Sequence, residues 1–319
     1  MNVLRPLGAA LTRAARLTMG LGLAALVASQ PTQAFAQAAE AAAAPAVDKV
    51  EGHGPQLWVV RDADSTIYLF GTVHLLRPET RWRSARIQSA FDSASELWLE
   101  FPNPDNPTEV VPIIQQHGLS PQRPLSGLLT AEEFARLTAA GATIGVPEAQ
   151  LNASRPWFAA LTLTVAAVTK AGFSPTSGGE LVIKKMADAA GKPVKGFETA
   201  DQQVRLLASL PEADQLAFLR GTLEQFDEAR PFMDRMVEAW ASGDVVGLQD
   251  LVVDEIRGQS EELYQVILAR RNADWAEQID TMLDGSGTVF VAVGAGHLLG
   301  PDSVQILLER RGIEVDQVE

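Results

Sequence analysis

The sequence contains no cysteine, only two tyrosines and only four histidines among its 319 residues. Without cysteine, disulfide bonds, thiolate metal sites and cysteine nucleophiles are all excluded, so the fold must depend on its hydrophobic core. With 46% hydrophobic residues, the chain is long enough to bury such a core. Basic residues are also few, since 26 lysines and arginines stand against 40 acids and give a formal charge of -14. This charge argues against nucleic acids or anionic membranes as partners.

Several catalytic motifs are missing as well. The sequence has no His-Glu-x-x-His, no Gly-x-Ser-x-Gly and no Gly-x-x-x-x-Gly-Lys-[Ser/Thr] phosphate loop. A dinucleotide fingerprint that begins at Gly294 is incomplete, because Leu299 stands where its third glycine belongs. The remaining candidates for catalytic or ligand-binding residues are histidines, carboxylates and arginines.

The N-terminus carries the layout of a secretory signal peptide. Residues 1–36 contain three arginines and no acid, an apolar segment at 17–28 and the small-residue pattern Ala34-Phe-Ala36. Cleavage after Ala36 would take the formal charge from -14 to -17, because three arginines leave. The apolar run is shorter than the ~20 residues of a spanning helix, and no later run approaches that length. We therefore expect an exported, periplasmic or secreted chain with no membrane span, and a flexible leader over residues 37–56.

The remaining sequence predicts an α/β fold. Apolar runs at 57–60 and 67–70 flank a polar turn and predict a β-hairpin, and residues 96–101 predict a third strand. Residues 288–293 are mostly β-branched or apolar, which is typical of a strand buried on both faces. Helical spacing fills most of the chain between these strands. We expect one domain over residues 57–319, with a central mixed sheet flanked by helices and a large helical insertion at about 200–283.

Two strands lead into matched turns that end on histidine. Gly71-Thr-Val-His74 and Gly294-Ala-Gly-His297 share the spacing Gly-x-x-His, and they contain two of the four histidines. Glu100 and Glu198 stand where two further strands are predicted to end. If these strands run parallel, all four side chains emerge at one edge of the sheet.

Two imidazoles and one or two carboxylates are common ligands of a divalent transition metal. We expect His74 and His297 to bind the metal, with Glu100 or Glu198 completing the shell and the other acting as general base. Arg271 could grip a carboxylate or an oxyanion. Each residue also has a structural interpretation, as a hydrogen-bonded core histidine or as a carboxylate paired with arginine.

These motifs resemble the TraB/GumN family, which includes the Tiki proteases and is related to erythromycin-esterase and ChaN-like proteins. The resemblance is carried by the two Gly-x-x-His turns, Trp98-Leu-Glu100, Gly191-Lys-Pro-Val-Lys-Gly-Phe-Glu198-Thr, and Arg271-Asn272. Where many members have Gly-Val-Asp or Gly-Leu-Asp, this chain has Gly178-Gly-Glu180, which makes Glu180 a candidate additional ligand. The usual Leu-Glu is here Phe197-Glu198.

The resemblance implies an α/β fold and metal-dependent hydrolysis, with a peptide or small molecule as substrate. Our leading hypothesis is an exported metal-dependent hydrolase of the peptidase kind. A protein that binds haem or another small ligand without turnover, like the ChaN-like relatives, is the first alternative. A metal-independent hydrolase with a histidine base, like the esterase relatives, is the second.

Overall fold

A six-stranded sheet organises residues 54–319, the part of the chain that this computed structural model describes. The predicted signal peptide and most of the predicted leader lie outside the described residues. The strands are β1 Leu57–Arg61, β2 Ser65–Thr72, β3 Glu96–Leu99, β4 Val194–Gly196, β5 Gly287–Gly294 and β6 Val315–Gln317. Their order across the sheet is β4-β3-β5-β2-β1-β6.

The sheet is mixed, as expected from the sequence. β4, β3, β5 and β2 run parallel to one another, whereas β1 is antiparallel to both β2 and β6. The predicted hairpin is β1–β2. Its turn is stabilised by the Asp62 carboxylate, which accepts hydrogen bonds from the backbone N–H groups of Asp64 and Ser65.

Helices flank the sheet and form the insertion. Those before β4 are α1 Ala85–Ser93, α2 Pro107–Gly118, α3 Ala131–Ile144, α4 Glu148–Asn152, α5 Pro156–Lys170 and α6 Gly179–Ala189. Those between β4 and β5 are α7 Ala200–Ala208, α8 Glu212–Glu224, α9 Ala229–Ser242, α10 Val245–Gln249, α11 Glu255–Gln259, α12 Glu261–Tyr264 and α13 Arg270–Leu283. After β5 comes α14, Val304–Arg310. The helical insertion between the N-terminal and C-terminal strands is thus confirmed.

Within the insertion, two π-helical segments, Asp250–Asp254 and Gln265–Ala269, interrupt the α-helical winding. Within residues 54–319, no helix has the length and apolar character that crossing a membrane requires.

The central strand β5 places its side chains in two hydrophobic layers. Phe290 and Ala292 belong to the larger layer, whereas Val291 and Val293 pack in the layer that includes side chains of α13 and α14. Successive side chains of a strand point to opposite faces, so a strand covered on both sides must be apolar throughout. This is why residues 289–293 form an unbroken apolar run.

Two glycines let the start of α6 approach the end of β2 at backbone distance. A Cβ on Gly178 would lie 2.3 Å from the carbonyl oxygen of His74, and one on Gly179 would lie 3.1 Å from Cβ of Thr72. The Gly179 N–H also donates to the carbonyl of Val73 at 3.0 Å. Only glycine permits this approach, and it sets the first turn of α6 beside the His74 turn.

We expect Gly178→Ala to lower the free energy of unfolding by roughly 2 kcal/mol or more, because its methyl group would overlap a backbone carbonyl. Urea denaturation measures the effect. Gly127→Ala is the matched control, since a Cβ there meets no atom within 4 Å, and it should stay within roughly 0.5 kcal/mol of wild type. Equal stability of the two variants would contradict the close packing of α6 on β2.

Candidate functional site

Four parallel strands end level with one another at one edge of the sheet. Thr72 of β2 pairs with Gly294 of β5, and Leu99 of β3 pairs with Ala292 on one side and with Gly196 of β4 on the other. Open α/β folds place ligand sites at such an edge, outside the carboxyl ends of the strands. The polar residues that follow these strand ends are His74, Glu100, Glu198 and His297.

The two Gly-x-x-His turns meet. A Cβ on Gly71 would lie only 3.0 Å from Cα of Ala295, so the turns touch at backbone level. Both imidazoles lie near the same carboxylate oxygen, since Nε2 of His74 is 3.8 Å and Nε2 of His297 is 3.9 Å from Oε1 of Glu100. The structure therefore brings both histidines and Glu100 into one buried cluster.

Glu100 is the central carboxylate of this cluster. Its Oε1 accepts the backbone N–H of Gly294 at 2.8 Å, and its Oε2 accepts from Gln203 at 2.8 Å and from Arg271 at 2.7 Å. Burial by itself would raise the pKa of Glu100, but the charge and hydrogen bond of Arg271 and the two neighbouring histidines together outweigh it and hold that pKa well below its usual range. Glu100 is therefore ionised.

Arg271, at the start of α13, uses all five of its N–H groups. Nε and Nη2 donate to the two oxygens of Glu198 at 2.7 and 2.9 Å, and Nη2 also donates to Glu100. Nη1 donates to the carbonyl of Ile267 at 3.0 Å and to Nε2 of His297 at 3.0 Å. A role for Arg271 as oxyanion donor would require one of these bonds to break.

His297 is locked as a neutral acceptor. Arginine only donates, so Nε2 of His297 must accept, and the ring proton lies on Nδ1, which donates to Asn272 at 2.5 Å. Asn272 in turn donates to the carbonyl of Asp302 at 2.8 Å, and the Trp275 ring packs on the imidazole with centroids 4.2 Å apart. Burial, followed by the charge of Arg271, lowers the pKa of His297 well below its usual value.

His74 has a different partner. Its Nδ1 lies 2.8 Å from Oε1 of Glu180, in the first turn of α6. The other oxygen of Glu180, Oε2, is buried and has no hydrogen-bond partner among the residues that the structure describes. Glu180, which the sequence suggests only as an additional metal ligand, is thus the carboxylate that orients His74.

Sequence reasoning missed two members of the cluster. Gln203, on α7, donates to Glu100 from 103 positions away in the sequence, and a glutamine inside a helix carries no signal of such a contact. Asn272 was visible as half of the Arg-Asn pair, but its hydrogen bond to His297 was not predicted. All six residues singled out from the sequence are brought together: His74, Glu100, Glu180, Glu198, Arg271 and His297.

Comparison with known proteins places this fold in a family. Residues 56–317 match the TraB/PrgY/gumN family. The chain belongs to that family. The matched region contains all six strands and the complete site cluster.

Among relatives, this TraB/PrgY/gumN family protein is similar to a protein of Treponema pallidum (strain Nichols), with 24% identity over 267 residues, covering 80% of each chain. It is also similar to YbaP of Escherichia coli (strain K12), with 23% identity over 256 residues, covering 80% of this chain and 92% of YbaP. For YbaP of Shigella flexneri the identity is 24% over 243 residues, covering 76% of this chain and 87% of the relative. No solved structure gives a significant match to the chain.

The cluster as arranged does not fit a divalent ion held by both histidines. The donor types suit one, but the lone pair of His297 Nε2 already accepts from Arg271, whose positive charge would also oppose a cation there. Within residues 54–319, no group of three or more His, Asp or Glu side chains has an arrangement that could hold a metal ion. Metal binding by His74 and His297 stays a prediction, and it would require Arg271 to withdraw from His297.

We expect Arg271→Met to lower the free energy of unfolding by about 3–5 kcal/mol, because it leaves two buried carboxylates without their cation. The neighbouring Arg270 is exposed and pairs with Glu262 at the surface, so Arg270→Met is the control and should change stability by less than about 1 kcal/mol. Urea denaturation at pH 7 compares them. Similar losses of stability in both variants would mean that the buried network of Arg271 stabilises the fold no more than an exposed ion pair does.

Stability should also depend on pH through His297. In the unfolded chain this imidazole takes up a proton below about pH 6.5, whereas in the fold it stays neutral to a much lower pH. Its contribution is therefore complete above that pH and is lost as the pH falls, by up to ~1.4 kcal/mol per pH unit. Denaturation between pH 8 and pH 5 should show a steeper slope for wild type than for His297→Gln. Parallel slopes would contradict a neutral, buried His297.

Proposed function

We propose that this protein is a hydrolase in which His74, oriented by Glu180, is the general base that activates water. The observation that carries the proposal is the 2.8 Å contact between His74 Nδ1 and Glu180 Oε1 at the buried strand edge. An imidazole oriented by a carboxylate is a recurring arrangement in hydrolases.

The hydrogen-bond pattern gives the two histidines different tasks. An ionised carboxylate only accepts, so the Nδ1 of His74 carries a proton, and when the ring is neutral its lone pair lies on Nε2. That Nε2 lies on the side of Glu100. His297, by contrast, accepts from a permanent cation through its Nε2. His74 is the histidine that can exchange a proton during a reaction.

Glu100 supports the proposed proton transfer through its charge. When His74 takes a proton from water at Nε2, the ring becomes an imidazolium, and the Glu100 carboxylate 3.8 Å away stabilises that charge. The hydroxide so formed adds to a carbonyl carbon of the substrate. The C–N or C–O bond of the resulting tetrahedral intermediate then breaks as the protonated His74 gives its proton to the leaving amine or alcohol, which releases the carboxylic acid and completes the hydrolysis.

The substrate class is a peptide, or a small molecule with an amide or ester bond. Hydrolysis through a bound metal ion, implied by the family resemblance, is the competing form of the proposal. Binding of haem or another small ligand without turnover is the alternative from another class, and haem titration followed by Soret absorption tests it. Export from the cytoplasm stays a prediction, because residues 1–36 lie outside the described chain.

We expect His74→Asn to reduce hydrolysis of a fluorogenic peptide and ester panel by between about a hundredfold and ten-thousandfold, because the base is lost. His117 is the control, since it lies away from the cluster and pairs with Asp201 at 3.2 Å. His117→Gln should keep wild-type activity. Activity should survive exhaustive treatment with a chelator.

Two results would contradict the proposal. Full activity in His74→Asn would exclude His74 as the base. Activity that a chelator abolishes and an added divalent ion restores would favour the metal-dependent form instead.

A further inference from the structure

The charges of the site cluster do not balance. Three carboxylates, Glu100, Glu180 and Glu198, share the site with a single guanidinium, that of Arg271. With His297 neutral, the excess is two negative charges when His74 is neutral and one when His74 is protonated. The guanidinium cannot compensate Glu180, because its five N–H groups are all used elsewhere.

One carboxylate oxygen in this cluster lacks a donor. Oε2 of Glu180 is buried and accepts no hydrogen bond from residues 54–319, while Oε1 of the same group contacts His74. Leaving a buried charged acceptor without a donor is costly, and natural proteins rarely do so without a functional reason. A donor from outside the chain would remove that cost.

The cluster is most accessible at two of its carboxylates. The side chains of Glu180 and Glu198 are each 10% exposed, compared with 2% for His74, 5% for Arg271 and none for His297. The exposed part of the cluster therefore belongs to its acidic side chains, although Oε2 of Glu180 is itself buried. A phosphate or carboxylate would be repelled here, and Arg271 has no N–H left with which to bind it.

We propose that the substrate presents an ammonium group to this site and that Glu180 Oε2 is its acceptor. This inference rests on the hydrolytic function proposed above and specifies its substrate as a peptide or amide with a free amine near the bond that is cleaved. Glu180 then has two tasks, since Oε1 orients His74 while Oε2 binds the substrate cation. A charge-assisted hydrogen bond of this kind gives both affinity and position.

Binding of matched small molecules tests the inference without requiring turnover. The thermal unfolding of the full chain is followed with isopentylammonium and with isovalerate, which have similar carbon skeletons and opposite charges. We expect only the ammonium compound to raise the Tm, and its Kd to weaken about tenfold or more in Glu180→Gln. The glutamine keeps an acceptor for His74 but replaces Oε2 by an N–H₂ donor. Glu262→Gln, which removes an exposed carboxylate paired with Arg270, should bind as wild type does.

A second set of three probes identifies the source of the ammonium group. Leucinamide offers an α-amine, Nα-acetyl-lysinamide offers a side-chain amine, and N-acetyl-leucinamide offers neither. The inference expects a Tm shift with the first or the second and none with the third. Equal shifts with all three, or equal binding of isopentylammonium and isovalerate, would overturn it. So would a manganese(II) or zinc(II) titration in which the metal binds at Glu180 and no amine competes.

The failure of this inference and that of the proposed function are distinguishable. Amine binding that depends on Glu180, without hydrolysis of any substrate in the panel, would support amine recognition by Glu180 and contradict the proposed hydrolase function. Hydrolysis that depends on His74, with equal rates for free-amine and N-acetylated substrates, would support the hydrolase function and contradict amine recognition by Glu180.

Discussion

A guanidinium buried between two carboxylates and an imidazole joins the separate parts of this molecule. Arg271 comes from the helical insertion, Glu100 and Glu198 follow neighbouring parallel strands, and His297 follows the central strand. Removing such charges from water is expensive, and the cost is recovered only if every donor and acceptor finds a partner. All five N–H groups of the Arg271 guanidinium have acceptors. Their hydrogen bonds therefore connect the helical insertion to the sheet at the site itself.

The same guanidinium makes the two similar histidine turns chemically unlike. Because it donates to His297, that ring is held neutral with its proton on the side of Asn272. His74 contacts the carboxylate of Glu180 and keeps a nitrogen on the side of Glu100. A repeated sequence motif thus yields one histidine that accepts from a guanidinium and one that contacts a carboxylate.

Several features followed from the sequence because they depend on local patterns. The amphipathic insertion has a helical periodicity, whereas the hairpin of β1 and β2 and the doubly buried strand β5 have short apolar runs whose length and flanking turn residues favour strands. The positions of His74 and His297 after a strand and a glycine also placed them at a sheet edge. The contact of Gln203 with Glu100 was out of reach, because a polar residue on a helix has no pattern that names a partner 103 residues away.

The sequence by itself determined the elements, the acidic and cysteine-free character of the chain, and which residues stand where strands end. Only the tertiary structure decided their partners: Arg271 with two carboxylates and His297, and Glu180 with His74. The physical reason is that strand and helix formation depend on neighbours in the chain, whereas a side chain's protonation and hydrogen bonds depend on neighbours in space. The chemical role of a histidine depends on its neighbours in space.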